Sequence, residues 1–270
     1  MRALEAIDSW GAPHASAGVV TRSGVADARG EIAVPLPWAS VTKVCTALAV
    51  LVAAEEGSLS LDDAAGPPGS SVRHLLAHAS GLGPSDPAAP LARPGTRRIY
   101  SNAGFEVLGR HLELQTGMGF EEYLVASVLE PLAMEGTRTD GSAATGAVGP
   151  LVDLLALVAE LLAPTVVSRE ILDEATTVAF PGLVGVLPGF GRQSPCDWGL
   201  GVELRGTKTP HWTGTRNSPE TFGHFGQSGT FLWVDPVAGV ACAVLTDRAF
   251  GPWATTAWPA LADAVLDELA

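Results

Sequence analysis

Cysteine is scarce in this chain, basic residues are few and no long apolar run occurs, and each shortage removes a class of protein. The three cysteines in 270 residues, Cys45, Cys196 and Cys242, lie far apart without CxxC or CxxH spacing, so neither a disulfide framework nor a zinc knuckle is indicated. They read as buried, reduced thiols. Lysine and arginine number 16 against 29 acidic residues, a formal net charge of −13. Such a surface repels phosphate backbones, which argues against nucleic acid as a partner. The pair Arg97-Arg98 is too small for a basic stripe and reads as solvated charge. The most lipid-like stretch, Val44 to Ala54, lies between Lys43 and Glu55-Glu56 and falls short of the roughly 18 residues that a membrane span needs. It reads as a buried core helix. Glu5 and Asp8 interrupt the apolar run that a secretory signal would need, so a cytoplasmic protein with no membrane attachment is expected.

What is present points to a sizeable core. Hydrophobic residues are 47% and charged residues only 17%, which suits one large domain or two closely packed lobes and excludes a disordered chain. The 31 glycines and 20 prolines follow no period, so neither collagen nor a repeat array fits.

Along the chain, Leu4, Ile7 and Trp10 recur at helical spacing, and Val19-Val20-Thr21 before Ser23-Gly24 predict a strand entering a hairpin. Ala39 to Glu56 has no breaker and is followed by Gly57, which predicts one long buried helix. Helical patterns continue over 71–76, 103–116, 120–129, 152–162 and 169–176. From Trp198 the period shortens. Gly199 to Leu204, Phe222 to Phe225, Thr230 to Val234 and Val240 to Thr246 predict strands, and Trp258 to Leu269 a closing amphipathic helix. Strands at both ends with helices between predict an α+β fold, with residues 1–60 and 195–270 forming a discontinuous sheet lobe and 61–194 a helical lobe, one catalytic domain overall.

Four short stretches carry chemistry. Ser40-Val41-Thr42-Lys43 opens the long helix, where a spacing of three means about 300° and 4.5 Å, so hydroxyl and amine share a face. The helix N-terminus and the apolar flank both disfavour an ammonium at Lys43, and a neutral lysine beside a serine is a base beside a nucleophile. By itself the motif more often marks a capping serine and a solvated lysine. Tyr100-Ser101-Asn102 places a phenol, a hydroxyl and an amide on one loop before a helix. Gly223-His224-Phe225-Gly226-Gln227-Ser228-Gly229 puts three glycines in a strand, which suggests close approach of another backbone, a substrate's being one candidate and a β-bulge the alternative. His74 and His78 stand at i,i+4 but lack the glutamate of HExxH and nearby acidic ligands, so a structural role is expected and no metal. Ser228 does not fit a nucleophile elbow, because its surroundings lack the last glycine of GxSxG and lie between strands.

Taken in order, Ser40-Val41-Thr42-Lys43, His74-Leu75-Leu76-Ala77-His78-Ala79-Ser80-Gly81-Leu82, Tyr100-Ser101-Asn102 and Gly223-His224-Phe225-Gly226 resemble the serine β-lactamase and penicillin-binding superfamily. The similarity is greatest to its class C-like branch, with D-Ala-D-Ala carboxypeptidases and family VIII esterases, and it covers nearly the whole chain. The resemblance implies a β-lactamase/transpeptidase-like fold, a five-stranded antiparallel sheet flanked by terminal helices with an inserted helical lobe and the site between them. It also implies that Ser40 is the acylated nucleophile, that Lys43 and Tyr100 move its proton, and that the backbone N–H groups of Ser40 and Gln227 form the oxyanion hole. Asn102, His224 and Gly226 would bind substrate, without a cofactor. Many lactam-binding members have Lys-Thr-Gly where this chain has His224-Phe225-Gly226, and only the segment from Pro181 to Pro195 is available as a lid. The expected activity is that of a serine hydrolase on a small ester or amide, with a carboxypeptidase, a weak β-lactamase or an acyltransferase as alternatives. A non-catalytic ligand-binding protein on the same fold is the reading of another class.

Overall fold

A computed structural model describes all 270 residues. A 3₁₀ turn over Ala3–Ser9 buries Leu4 and Ile7 and leads into the hairpin of β1 (Ala15–Thr21) and β2 (Gly24–Gly30). A short β3 (Leu36–Pro37) precedes a second 3₁₀ turn, Ala39–Val41, which runs directly into α1 (Thr42–Glu55). Gly57 follows in the left-handed region, the stop that the sequence predicts. The middle of the chain supplies α2 (Val72–Leu76), α3 (Asn102–Thr116) and α4 (Phe120–Leu124), the last continued by a π turn over Val125–Leu129. After the small strands β4 (Arg138–Thr139) and β5 (Ala147–Gly149) come α5 (Leu151–Leu162) and α6 (Arg169–Ala175). The hairpin β6 (Gly185–Leu187) and β7 (Gly191–Gln193) leads to β8 (Glu203–Leu204), β9 (Phe222–Phe225), β10 (Phe231–Asp235), β11 (Val240–Thr246) and the closing α7 (Ala254–Leu269).

The main sheet is antiparallel with strand order β2-β1-β11-β10-β9-β8, so the two ends of the chain meet where Val19 pairs with Cys242. Six strands are present instead of the implied five. The sixth is β8, and it is shorter than the expected Gly199 to Leu204 strand because Gly201 turns at φ +88° and lies against Ala47 of α1. Side chains alternate across the sheet with period two. Ala17, Val19, Phe231, Trp233, Cys242 and Val244 face α7 and the N-terminal turn, whereas Val20, Leu232, Val234, Ala243 and Leu245 face the helices. On β9, Phe222 and His224 share the helix-facing side, and Phe225 turns toward Trp258 of α7.

All residues of α1 from Thr42 to Ala53 are buried. A helix apolar all round must be central, and this one packs against α3, α4 and the π turn that follows it. Burying each of Leu48 and Leu51 contributes about 1.5–3 kcal/mol, so the helix carrying Ser40 and Lys43 at its start is held on every side. Although α5 belongs to the 61–194 span, it packs on β1, β10 and β11. The helices and one sheet face therefore share one continuous core. No helix is long and apolar enough to cross a membrane, and the three cysteines are buried and unpaired.

Candidate active site

Ser40 lies in the 3₁₀ turn and Lys43 in the first turn of α1, and Lys43 Nζ sits 3.2 Å from Ser40 Oγ. Lys43 also donates to Ala144 O at 2.9 Å and lies 5.0 Å from the centre of the Tyr100 ring and 5.6 Å from that of Phe105. Its side chain is fully buried, and burial lowers its pKa to about 7 against a smaller opposing pull from Glu106. The loop carrying Ala144 is fastened to the same helix: Thr46 Oγ1 donates to Ala143 O at 2.7 Å, and Ala147 N donates to Thr42 Oγ1 at 2.9 Å. Glu106 of α3 secures its other side by accepting from Ser142 Oγ at 2.6 Å and Ala144 N at 3.3 Å. Ala39, immediately before the serine, has φ +48°, a strained conformation that costs an alanine on the order of 1 kcal/mol.

The three glycines after Thr221 have a role beyond substrate approach. A Cβ on Gly226 would lie 2.4 Å from Trp38 O and 3.2 Å from Ser40 N, so the backbone that comes close is the chain's own, at the nucleophile. Gly226 thus lets the following residue, Gln227, reach the Ser40 turn. The Gln227 carbonyl accepts from Phe250 N at 2.9 Å, and its N–H has no partner within the protein.

Tyr100 stands just before α3. Burial raises its phenol above the ordinary value, and the Ser40 side chain opposes that shift. Ser101 caps α3 by accepting from Gly104 N at 2.9 Å, and Asn102 is the first residue of the helix, not part of the preceding loop. Ser101 N donates to His78 Nδ1 at 3.1 Å, and the His78 ring stacks on Tyr100 at 4.5 Å between centroids. His74 instead pairs through Nδ1 with Ser71 at the start of α2. The i,i+4 histidines therefore do separate structural work, with His78 supporting the phenol.

Arg98 corrects a sequence expectation. Far from being solvated, it is buried and donates to the carbonyls of Ala77, Cys196, Ala179 and Phe180. Segments from three places in the chain converge on one guanidinium, two residues before Tyr100. Burial lowers its pKa to about 10, so it stays charged at neutral pH.

These elements enclose a narrow cleft of about 100 Å³ onto which Ser40, Tyr100, Asn102, His224 and Gln227 all open. Leu187 and Pro188 at the tip of the β6–β7 hairpin wall one part, so the Pro181 to Pro195 segment does reach over the site. Trp198, Phe225 and Glu203 complete it. Gly226 is behind the serine and not among the lining residues. A larger groove of about 440 Å³ beside Leu172 and Phe222 contains none of these groups.

Glu203 and Trp198 were not singled out from sequence. Glu203 is an isolated acid in an apolar strand, which is itself a signal that partners must follow. They do: His211 Nε2 lies 2.8 Å from its carboxylate, Trp212 Nε1 donates to it at 2.9 Å, and Lys208 pairs with it. Burial pushes its pKa up, but His211 and Lys208 outweigh that and hold it at about 2.

An antiparallel sheet with helices on its faces, and a serine, a buried lysine and a phenol brought together beside it, define a β-lactamase/transpeptidase-like fold. The chain belongs to the β-lactamase family, whose model matches residues 17–266. A β-lactamase from Mycobacterium bovis is 52% identical and superposes with a TM-score of 0.97, with 99% of each chain covered. A Salmonella paratyphi B protein, provisionally named a D-alanyl-D-alanine carboxypeptidase, is 26% identical over 59% of this chain. The match spans 47% of that relative, so the chain spans about half the length of the curated relatives it matches. EstCE1, described as a hydrolase with promiscuous acyltransferase activity, shares the fold at 20% identity and a TM-score of 0.81, covering 97% of this chain and 96% of its own.

Proposed function

We propose that this β-lactamase-family hydrolase works through an acyl-enzyme on Ser40 and acts on small esters or amides. The observation that carries the reading is Lys43 Nζ at 3.2 Å from Ser40 Oγ, fully buried, with a pKa near 7. A neutral amine has two N–H groups and one lone pair. One N–H is used by Ala144 O, and the lone pair can take the Ser40 proton as Oγ attacks the carbonyl. The proton passes on to the leaving group by way of Tyr100, whose raised pKa keeps the phenol protonated. The N–H groups of Ser40 and Gln227 receive the oxyanion, and the Asn102 amide is free to hold the substrate beside it. Water then attacks the acyl carbonyl, giving a proton to the Lys43 and Tyr100 pair, which returns one to Ser40 Oγ as the acid leaves.

Esters are favoured because no lysine or arginine lines the cleft to attract a substrate carboxylate. His224 is held neutral, with burial and nearby Lys43 lowering it to about 3, and Phe225 has no hydroxyl to offer. β-Lactam hydrolysis is the second reading, favoured by the 52% identity to the M. bovis β-lactamase. A cytoplasmic location fits the three buried, unpaired thiols. Intact-mass measurement after a fluorophosphonate should show one adduct, mapped to Ser40 and absent in Ser40→Ala. Labelling that survives Ser40→Ala would refute the assignment. In the same preparation, kcat/KM for a short-chain p-nitrophenyl ester should exceed that for a chromogenic cephalosporin, and the reverse order would favour the β-lactamase reading.

A further inference from the structure

Two cleft-lining side chains, Asn102 and His224, carry a buried polar atom with no hydrogen-bond partner in the protein. His224 is 3% exposed, and its Nδ1 lies 2.8 Å from the carbonyl oxygen of Phe225. A carbonyl only accepts, so Nδ1 carries the ring proton and Nε2 is left as a lone pair. That Nε2 is buried without any hydrogen-bond partner in the protein, while the ring lines the cleft with centroids 5.9 Å from Tyr100 and 5.5 Å from Trp198. A buried acceptor left unpaired is costly, and a ligand that supplies a donor removes that cost.

Two uses are open to such an atom, and its chemistry decides between them. As a base it would have to keep a proton taken from water, but burial and the neighbouring Lys43 hold the imidazole at about 3, too weak for that at neutral pH. As a hydrogen-bond acceptor it needs no proton of its own. It also disfavours a carbonyl or ether oxygen placed opposite it, because two lone pairs would then face each other. The cleft is narrow and His224 lines it together with Ser40, so the group offered to Nε2 is assigned to the acyl part, which stays on Ser40 after the leaving group departs.

We infer that His224 Nε2 is a specificity determinant that accepts a hydrogen bond from an O–H or N–H on the acyl part of the substrate, so that donor-bearing acyl groups are preferred over matched groups without a donor. This rests on the acyl-enzyme reading of Ser40 and names the substrate class for that site.

The test compares kcat/KM for the p-nitrophenyl esters of glycolate and methoxyacetate, each divided by its spontaneous hydrolysis rate. The pair shares an inductive pull and differs in the donor. Propanoate and butanoate esters measure the effect of the same increase in size with no donor involved. After that size correction, glycolate should be preferred about 3–10-fold, and the preference should fall to about 1 in His224→Phe, which fills the same space without the acceptor. No preference in the native protein overturns the inference, whether or not the variant folds. A preference that persists in folded His224→Phe overturns it as well, by placing the acceptor elsewhere. Intact mass on the same samples separates the two readings: a Ser40 adduct with unselective turnover refutes only the role of His224, whereas absence of any Ser40 adduct refutes both.

Discussion

The chain contains two lysines, Lys43 and Lys208, and both are buried. Lys208 donates to the Glu203 carboxylate, to Leu204 O and, at 2.7 Å, to Asp197 O. All three ammonium protons are used, and an anion balances the charge. Lys43 has Ser40 Oγ, Ala144 O and two aromatic rings about it, and no carboxylate within hydrogen-bond reach. The surroundings decide what the same residue type does: with an anion supplied, a buried lysine anchors β8 and the loop after it, and without one it becomes an amine able to take a proton near neutral pH.

The comparison breaks most visibly in activity. Lys43→Arg installs a guanidinium that cannot deprotonate, so kcat/KM for a short ester should fall about 10³–10⁴-fold while the circular dichroism spectrum is retained. Activity within tenfold of native would move the base elsewhere. Lys208→Met should act on the other quantity. It leaves Glu203 buried without its cation, and urea unfolding should show a loss of about 3–5 kcal/mol. The double variant Glu203→Gln/Lys208→Met should recover part of it, and an unchanged midpoint in the single variant would mean that the pair contributes nothing.

Tyr100→Phe removes one hydroxyl and little volume, so the rate of Ser40 acylation should drop about 10²-fold with little change in stability. A loss below tenfold would leave the phenol a structural group. The smallest effect has the opposite sign to that of Lys208. An unfolded lysine keeps its proton up to about 10.5 and Lys43 in the folded protein only up to about 7. Between those values the unfolded chain binds more protons, so stability rises with pH, and below about 7 the full penalty applies, on the order of 5 kcal/mol. Lys43→Met removes that penalty but leaves Ala144 O unpaired at about 1–3 kcal/mol. At pH 7 it should therefore be more stable than the native protein by about 2–4 kcal/mol, and the rise between pH 7 and 10 should disappear. A destabilised Lys43→Met would show that Lys43 is held as a cation.

Local patterns were legible in the sequence wherever one element carried both ends of the interaction. Ser40 and Lys43 are three apart on one helix, so helical geometry alone brings them together. β9 and β11 span the predicted Phe222 to Phe225 and Val240 to Thr246, because each is a short apolar run between turn residues. α7 starts at Ala254, ahead of the predicted Trp258, since Pro259 resembles a helix start but is accommodated within the helix. Arg98 and Glu203 were not legible, whereas the segment from Pro181 to Pro195, which supplies the Leu187-Pro188 wall, was. The partners of Arg98 are carbonyls from residues 21 to 98 positions away, and backbone acceptors leave no mark on sequence. Glu203 depends on Lys208 and His211 returning from a loop whose path only the folded chain defines.

Because the chain has only two lysines, the contrast between them can be read in one spectrum. Protein labelled with ¹³C-lysine gives two Cε signals, and Lys43→Arg assigns them by removing one. The Lys43 signal should titrate with a midpoint near pH 7. A Lys43 signal that stays in its ammonium position from pH 5.5 to about 9 would contradict the account, because the residue beside Ser40 would then have no lone pair to offer.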